Sequence, residues 1–301
     1  MLSSLFSTSI PQWFIPIILS AVALGFYDIT KKHAVNNNAV MPVLFLATLT
    51  GSLIFAIVTI SSGKFNEAFY CSFYHWILIL IKSCIVSSSW ICVYYGMREL
   101  PISIASPIRA ASPLWTFIGG LILFSELPSW GQLLGMITIF AGYYMFSVIG
   151  NLEGFSLRHK GMWLIFAGSI LGAISALYDK YLLNVLQVPR LPLQFHFSID
   201  LVAILGITLL IRTLFFKKEH QFVWKWSIPI TGALLILADY IYFYAVSLPD
   251  IQIAILSLIR RSNCIITFIV GAKYFHDKNL SRKAFALFLI LLGVTCIALA
   301  K

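Results

Sequence analysis

Ile251–Lys278 reads IQIAILSLIRRSNCIITFIVGAKYFHDK, an apolar run long enough to cross a bilayer, with Arg260 and Arg261 near its middle. A guanidinium at bilayer depth costs about 2.5 to 3.5 kcal/mol even on insertion scales, so such a residue faces protein, water or a ligand and marks a functional site by default. A second copy of the pattern stands 151 positions earlier, in Ser106–Glu126, SPIRAASPLWTFIGGLILFSE. At that offset Arg109 falls on Arg260, Thr116 on Thr267, Gly120 on Gly271 and Glu126 on Asp277. Two related helices each carry an arginine at membrane depth.

The same offset places Tyr27 and Asp28 on Tyr178 and Asp179, and Gly142 on Gly293. Leu100 and Pro101 correspond instead to Leu248 and Pro249, so the register slips once between these anchors. An internal duplication with a small local shift in register accounts for these matches.

Composition sets the class. Across 301 residues, 60% are hydrophobic and only 11% charged, and the mean hydropathy is +0.92. That balance predicts an all-α polytopic membrane protein. The formal charge of +10 would suggest a nucleic-acid partner in a soluble domain, but here most Lys and Arg flank apolar runs and read as headgroup anchors. No nucleic-acid partner is expected, and the opening residues read as part of a first span rather than as a secretory signal. Cys71, Cys84, Cys92, Cys264 and Cys296 lie in or beside apolar segments at no metal-ligand spacing, so neither a metal nor a cofactor is expected.

Apolar runs predict ten spans: 12–31, 41–60, 75–97, 102–124, 130–149, 161–183, 193–214, 227–247, 251–274 and 283–300. The polar stretch 151–160 divides them into two halves, 1–150 and 151–301. Because five is odd, successive copies enter the membrane in opposite directions. The expected architecture is therefore two inverted five-helix repeats with a site between them near the midplane. Gly131 with Gly135 and Gly168 with Gly172 provide small-xxx-small faces for close helix packing. Pro107 and Pro113 bracket Arg109 and loosen the ladder around it.

The apolar runs also hold Lys82, Asp179, Lys180, His196, Asp200 and Asp239, with Asp28 near the end of its span. Asp28, Asp179, Asp239 and Lys82 are candidate proton or ion-pair sites. Trp90, Tyr94 and Tyr240 are candidate cavity residues, since an aromatic ring with a polar tip needs a partner inside a membrane. Arg109, Arg260 and Arg261 are the candidate substrate-binding cations. Arg260 and Arg261 diverge by about 100° on a helix, so Arg260 is expected to point inward and Arg261 to be held by Asp239 or Asp179. Basic residues after odd-numbered spans place both termini outside on the positive-inside rule.

The ten-span pattern and the stretch SPIRAASPLWTFIGGLILFSELPSWGQLLGMITIFAG, 106–142, resemble the EamA-type branch of the drug/metabolite transporter superfamily. The second copy departs from it: Cys264 replaces the proline, and His276 and Asp277 stand where the acidic motif would be. Plastid sugar-phosphate translocators of the same superfamily carry basic residues in contexts similar to IRAASP and LIRRSN. In those relatives the basic residues hold a phosphate, and Arg109, Arg260 and Arg261 occupy the matching positions. The resemblance implies a multi-pass cell-membrane transporter of a small molecule with termini in the cytoplasm, and Asp28, Asp179 and Asp239 are the candidate carriers if a proton is the coupling ion. A lipid flippase or scramblase would share the arginines but need a lateral opening. A membrane-embedded lipid-modifying enzyme would need a nucleophile or acid-base pair, and none is evident.

Overall fold

The computed structural model describes residues 11–100, 105, 109, 112–125, 127–152, 159–215, 221–249, 251–267, 270 and 280–299. All regular structure among them is helical: α1 Phe14–Val35, α2 Val40–Ser61, α3 Phe65–Phe69, α4 Phe73–Glu99, α5 Ser112–Phe124 and α6 Trp130–Leu152. The second half holds α7 Lys160–Lys180, continued by a π-helical turn Tyr181–Val185, then α8 Arg190–Phe215, α9 Ser227–Val246, α10 Ile253–Arg261 and α11 Leu280–Leu299. Helices follow from the solvent, because an apolar run in lipid must satisfy its backbone groups within its own segment. Among the described residues six helices are long and apolar enough to cross a membrane: α1, α2, α4, α7 with its π turn, α8 and α9. Shorter apolar helices run through Trp115–Phe124, Trp130–Gly142 and Ala284–Ile297.

Each expected span overlaps a described helix, with shifted ends. α1 continues four residues past 31 to Val35, and α4 starts at Phe73 because Ser72 caps it, accepting from the His75 amide at 3.2 Å. The short α3 was not expected; the Phe69 carbonyl at its end lies 3.0 Å from Nε2 of His196 on α8. α10 stops at Arg261, well before residue 274. The Ser262 and Asn263 amides bond back three residues, to the Ile259 and Arg260 carbonyls, and the helical ladder restarts at Cys264. Pro107, Gly271, Glu126, His276 and Asp277 lie outside the described residues, while Pro113 lies within α5.

The helices pack in matched sets. α1 lies against α9 as α4 does against α7; α2 meets α9 as α4 meets α8; α5 meets α7 as α1 meets α10; and α2·α8, α5·α10 and α6·α11 pair directly. Two crossings are tight because neither side carries a Cβ. At α6·α11, a Cβ on Gly135 would lie 2.7 Å from the Gly293 carbonyl, and one on Gly293 would lie 2.5 Å from the Gly135 carbonyl. Gly51 and Gly232 bring α2 and α9 into similar backbone contact. Between α1 and α2, Asn37 takes a left-handed conformation (φ 48°), and the buried Asn38 side chain ties the turn to the Val223 amide and carbonyl at 2.9 and 2.7 Å.

Candidate functional site

A cavity of about 120 Å³ lies at the centre of the bundle, walled by side chains from both halves of the chain. Arg109, Arg260 and Arg261 all reach its wall, with Lys82, Trp90 and Tyr94 from α4, and Asp179 from α7 and Asp239 from α9 opposite. Tyr240 is absent from the wall: it is half exposed, and its ring centroid stands 6.3 Å from that of Phe55. Two positions further along α9, Tyr242 is buried and carries the Arg260 guanidinium over its ring at 3.9 Å.

Asp28 lies just behind the wall as the hub of one network. One of its oxygens accepts from Lys31 Nζ at 2.5 Å and from Arg109 Nη1 at 2.8 Å; the other accepts from Asn263 Nδ2 at 2.7 Å. Two helices of the first half and the broken ninth span thus meet on one carboxylate. Lys31 lies over the rings of Tyr27 and Tyr94, whose hydroxyls are 3.4 Å apart. Lys31 reads in sequence as a loop anchor, yet it is 1% exposed; the available signal was its spacing three residues after Asp28, which puts both on one helix face. Lys32 does sit at the helix end, where it donates to the Met97 and Leu100 carbonyls at 2.7 and 2.8 Å and covers the C-terminus of α4. These two lysines therefore carry less topological information than a loop tally assigns them.

The second network joins α4 to helices of the other half. Lys82 reaches inward to Asp179 at 2.7 Å between the rings of Phe197 and Phe243, instead of snorkelling to the interface. Arg260 donates to Asp239 at 2.6 Å. The acidic partner expected for Arg261 is therefore taken by Arg260, and Arg261 instead passes near Gly172, where a Cβ would lie 3.7 Å from its Nη2. His196 and Asp200, one turn apart on α8, are not part of this wall. Asn263, Lys31, Tyr27 and Tyr242 are site residues that sequence reading missed. Among the described residues no group of three His, Cys, Asp or Glu side chains could hold a metal ion.

A multi-pass helical membrane protein whose charged side chains converge on a central cavity has the arrangement of a solute transporter, since intramembrane charges are retained where they contact what crosses. Comparison points to a family. Residues 12–148 match the EamA-like transporter family, which supports the resemblance to the EamA-type drug/metabolite transporter superfamily. A solved crystal structure shares the fold, with a TM-score of 0.71 at 13% identity over 94% of this chain and 96% of that chain. A search of curated proteins finds no match.

Proposed function

We propose that the chain is a secondary transporter of the cell membrane that carries a small solute with an anionic group, by alternating access between two inverted five-helix repeats, 1–150 and 151–301. The observation that carries this reading is the position of Arg109 and Arg260, 151 residues apart, on the wall of one central cavity with Arg261 beside them. Five basic side chains, Lys31, Lys82, Arg109, Arg260 and Arg261, gather there with the carboxylates of Asp28, Asp179 and Asp239. A phosphate or carboxylate is the group that such a cluster of cations suits, and the planar guanidinium fork fits either.

The packing supports the inverted duplication. Gly135 lies against Gly293, and Gly142 against Ala286; shifting each residue by 151 turns the first pair into the second. Exchanging each helix for its repeat counterpart likewise maps the principal helix pairs onto one another, as a twofold axis between the halves would. The axis passes through α6·α11, α2·α8 and α5·α10, and the cavity lies where the arginine-bearing spans meet.

The test is a thermal-shift screen of purified protein against pools of anionic, neutral and cationic metabolites. A ligand that binds only the folded state, present at a hundred times its Kd, stabilises it by about 2.7 kcal/mol. Stabilisation confined to anions is the expected outcome, and stabilisation by cations alone would overturn the reading.

A further inference from the structure

The two arginine-carboxylate pairs are built differently, and the difference separates a fixed carboxylate from a releasable one. Asp28 has three donors, from Lys31, Arg109 and Asn263, and is 1% exposed. If a bound anion drew Arg109 away, two donors would remain and the carboxylate would stay charged. Asp239 has one ion pair among the described residues, with Arg260, and is 13% exposed on the wall of the cavity. It also borders a side pocket of about 20 Å³ whose mostly apolar lining includes the side chains of Thr48, Ser52, Gln194 and Ser198.

We infer that Asp239 is the proton-coupling group: the substrate anion takes Arg260 from it, and Asp239 then binds one proton from the cavity water, so that each anion bound takes up one H⁺. The step rests on the anion-transporter reading above. Its driving force is the cost of leaving a carboxylate in a low-dielectric interior without its counter-charge, increased by the negative charge of the anion now beside it. The groups around Asp239 set the balance. Asp179 of α7 faces it and disfavours a second unpaired carboxylate. Lys82 of α4 opposes protonation but is engaged by Asp179 at 2.7 Å. Arg261 of α10, Lys31 and Tyr27 of α1 and Arg109 border the same cavity, and α9 itself adds Tyr242. From α2 and α8 the side pocket presents no titratable group, its polar side chains there being Thr48, Ser52, Gln194 and Ser198. Carboxylate neutralisation also lets the loaded site move with one fewer negative charge, the requirement for returning it across the membrane.

Two measurements test this on the full-length protein in nanodiscs. Without any ligand, Arg260→Gln imitates removal of the counter-charge. A protonated-carboxyl carbonyl band should appear in its infrared spectrum at neutral pH and vanish in the Arg260→Gln/Asp239→Asn double variant; no such band overturns the proposal whatever the substrate. With sulfate as probe, an anion whose charge is constant near neutrality, affinity should weaken by up to about tenfold per unit rise in pH. Asp239→Asn should bind sulfate without that dependence. Sulfate binding that ignores pH, that needs Na⁺ instead, or that keeps its pH dependence in Asp239→Asn overturns the coupling while leaving the anion site standing. Failure of the anion reading shows separately, as an absence of anion-induced stabilisation in the wild type and in Asp239→Asn alike.

Discussion

Asp28 illustrates how much a single side chain holds together at this depth. Its partners come from α1, from Arg109 and from the break after α10, so it links the two halves as well as neutralising two cations. Asp28→Asn keeps the shape but removes the charge that Lys31 and Arg109 face. Breaking a buried pair from one side typically costs about 3 to 5 kcal/mol, and thermal unfolding in detergent should register a loss of that order. Asn263→Ala leaves one carboxylate oxygen without its donor, a smaller loss of about 1 to 3 kcal/mol. Equal effects of the two would mean that Asp28 acts only through Asn263. At this scale the sequence was half legible. Arg109, Arg260 and Lys82 declare themselves, because a charge in an apolar run has few explanations. Lys31 does not, because a lysine near the end of a span has a cheap alternative at the interface. Tyr240 and Tyr242 could not be separated by reading, since α9 is apolar around most of its circumference and offers no polar face to orient it.

Elements are held by backbone approach more than by side-chain bulk. In a bilayer the lipid tails are as apolar as leucine, so helices gain by packing closely at small residues. Gly232 is the extreme case: a Cβ there would lie 2.0 Å from the Ala47 carbonyl, a distance that only a shift of α2 against α9 can relieve. Gly232→Ala should therefore destabilise by about 1 to 3 kcal/mol, the usual range for overpacking, and lower the unfolding temperature of purified protein. Gly63, where an added Cβ meets nothing within 4 Å, serves as the contrast, although its φ of 68° adds backbone strain to any substitution there. The small-xxx-small motifs in the sequence indicated such contacts but not the pairings, which join residues far apart in the chain. The interruption at Ser262–Asn263 was hidden for a related reason: neither residue is a helix breaker, and the turn there is favoured by the bond from Asn263 to Asp28.

For the whole molecule, the proposed duplication of the halves implies a topology that can be measured without a structure. Hydropathy made the long apolar helices legible, and the offset of 151 is what suggests two halves, because both are properties of the chain alone. Sidedness was not, since the basic residues after odd-numbered spans and the family resemblance point opposite ways. Lys31 and Lys32 have now been accounted for by an ion pair and a helix cap. Reporter fusions after Lys301 and within 151–160 should report opposite faces of the membrane, because five spans separate the two points; fusions on the same face would contradict two inverted five-helix repeats.

The central claim is that the arginines bind the transported anion, and the most direct measurement is its affinity for the wild type and for Arg109→Lys and Arg260→Lys, by titration calorimetry on folded, membrane-inserted protein. Lysine keeps the charge but cannot donate two parallel hydrogen bonds, a loss of about 1.5 to 3 kcal/mol for a charge-assisted contact. The account predicts anion binding weakened about tenfold or more in each variant, with the unfolding temperature of the ligand-free protein little changed. Unaltered affinity in both variants would contradict it.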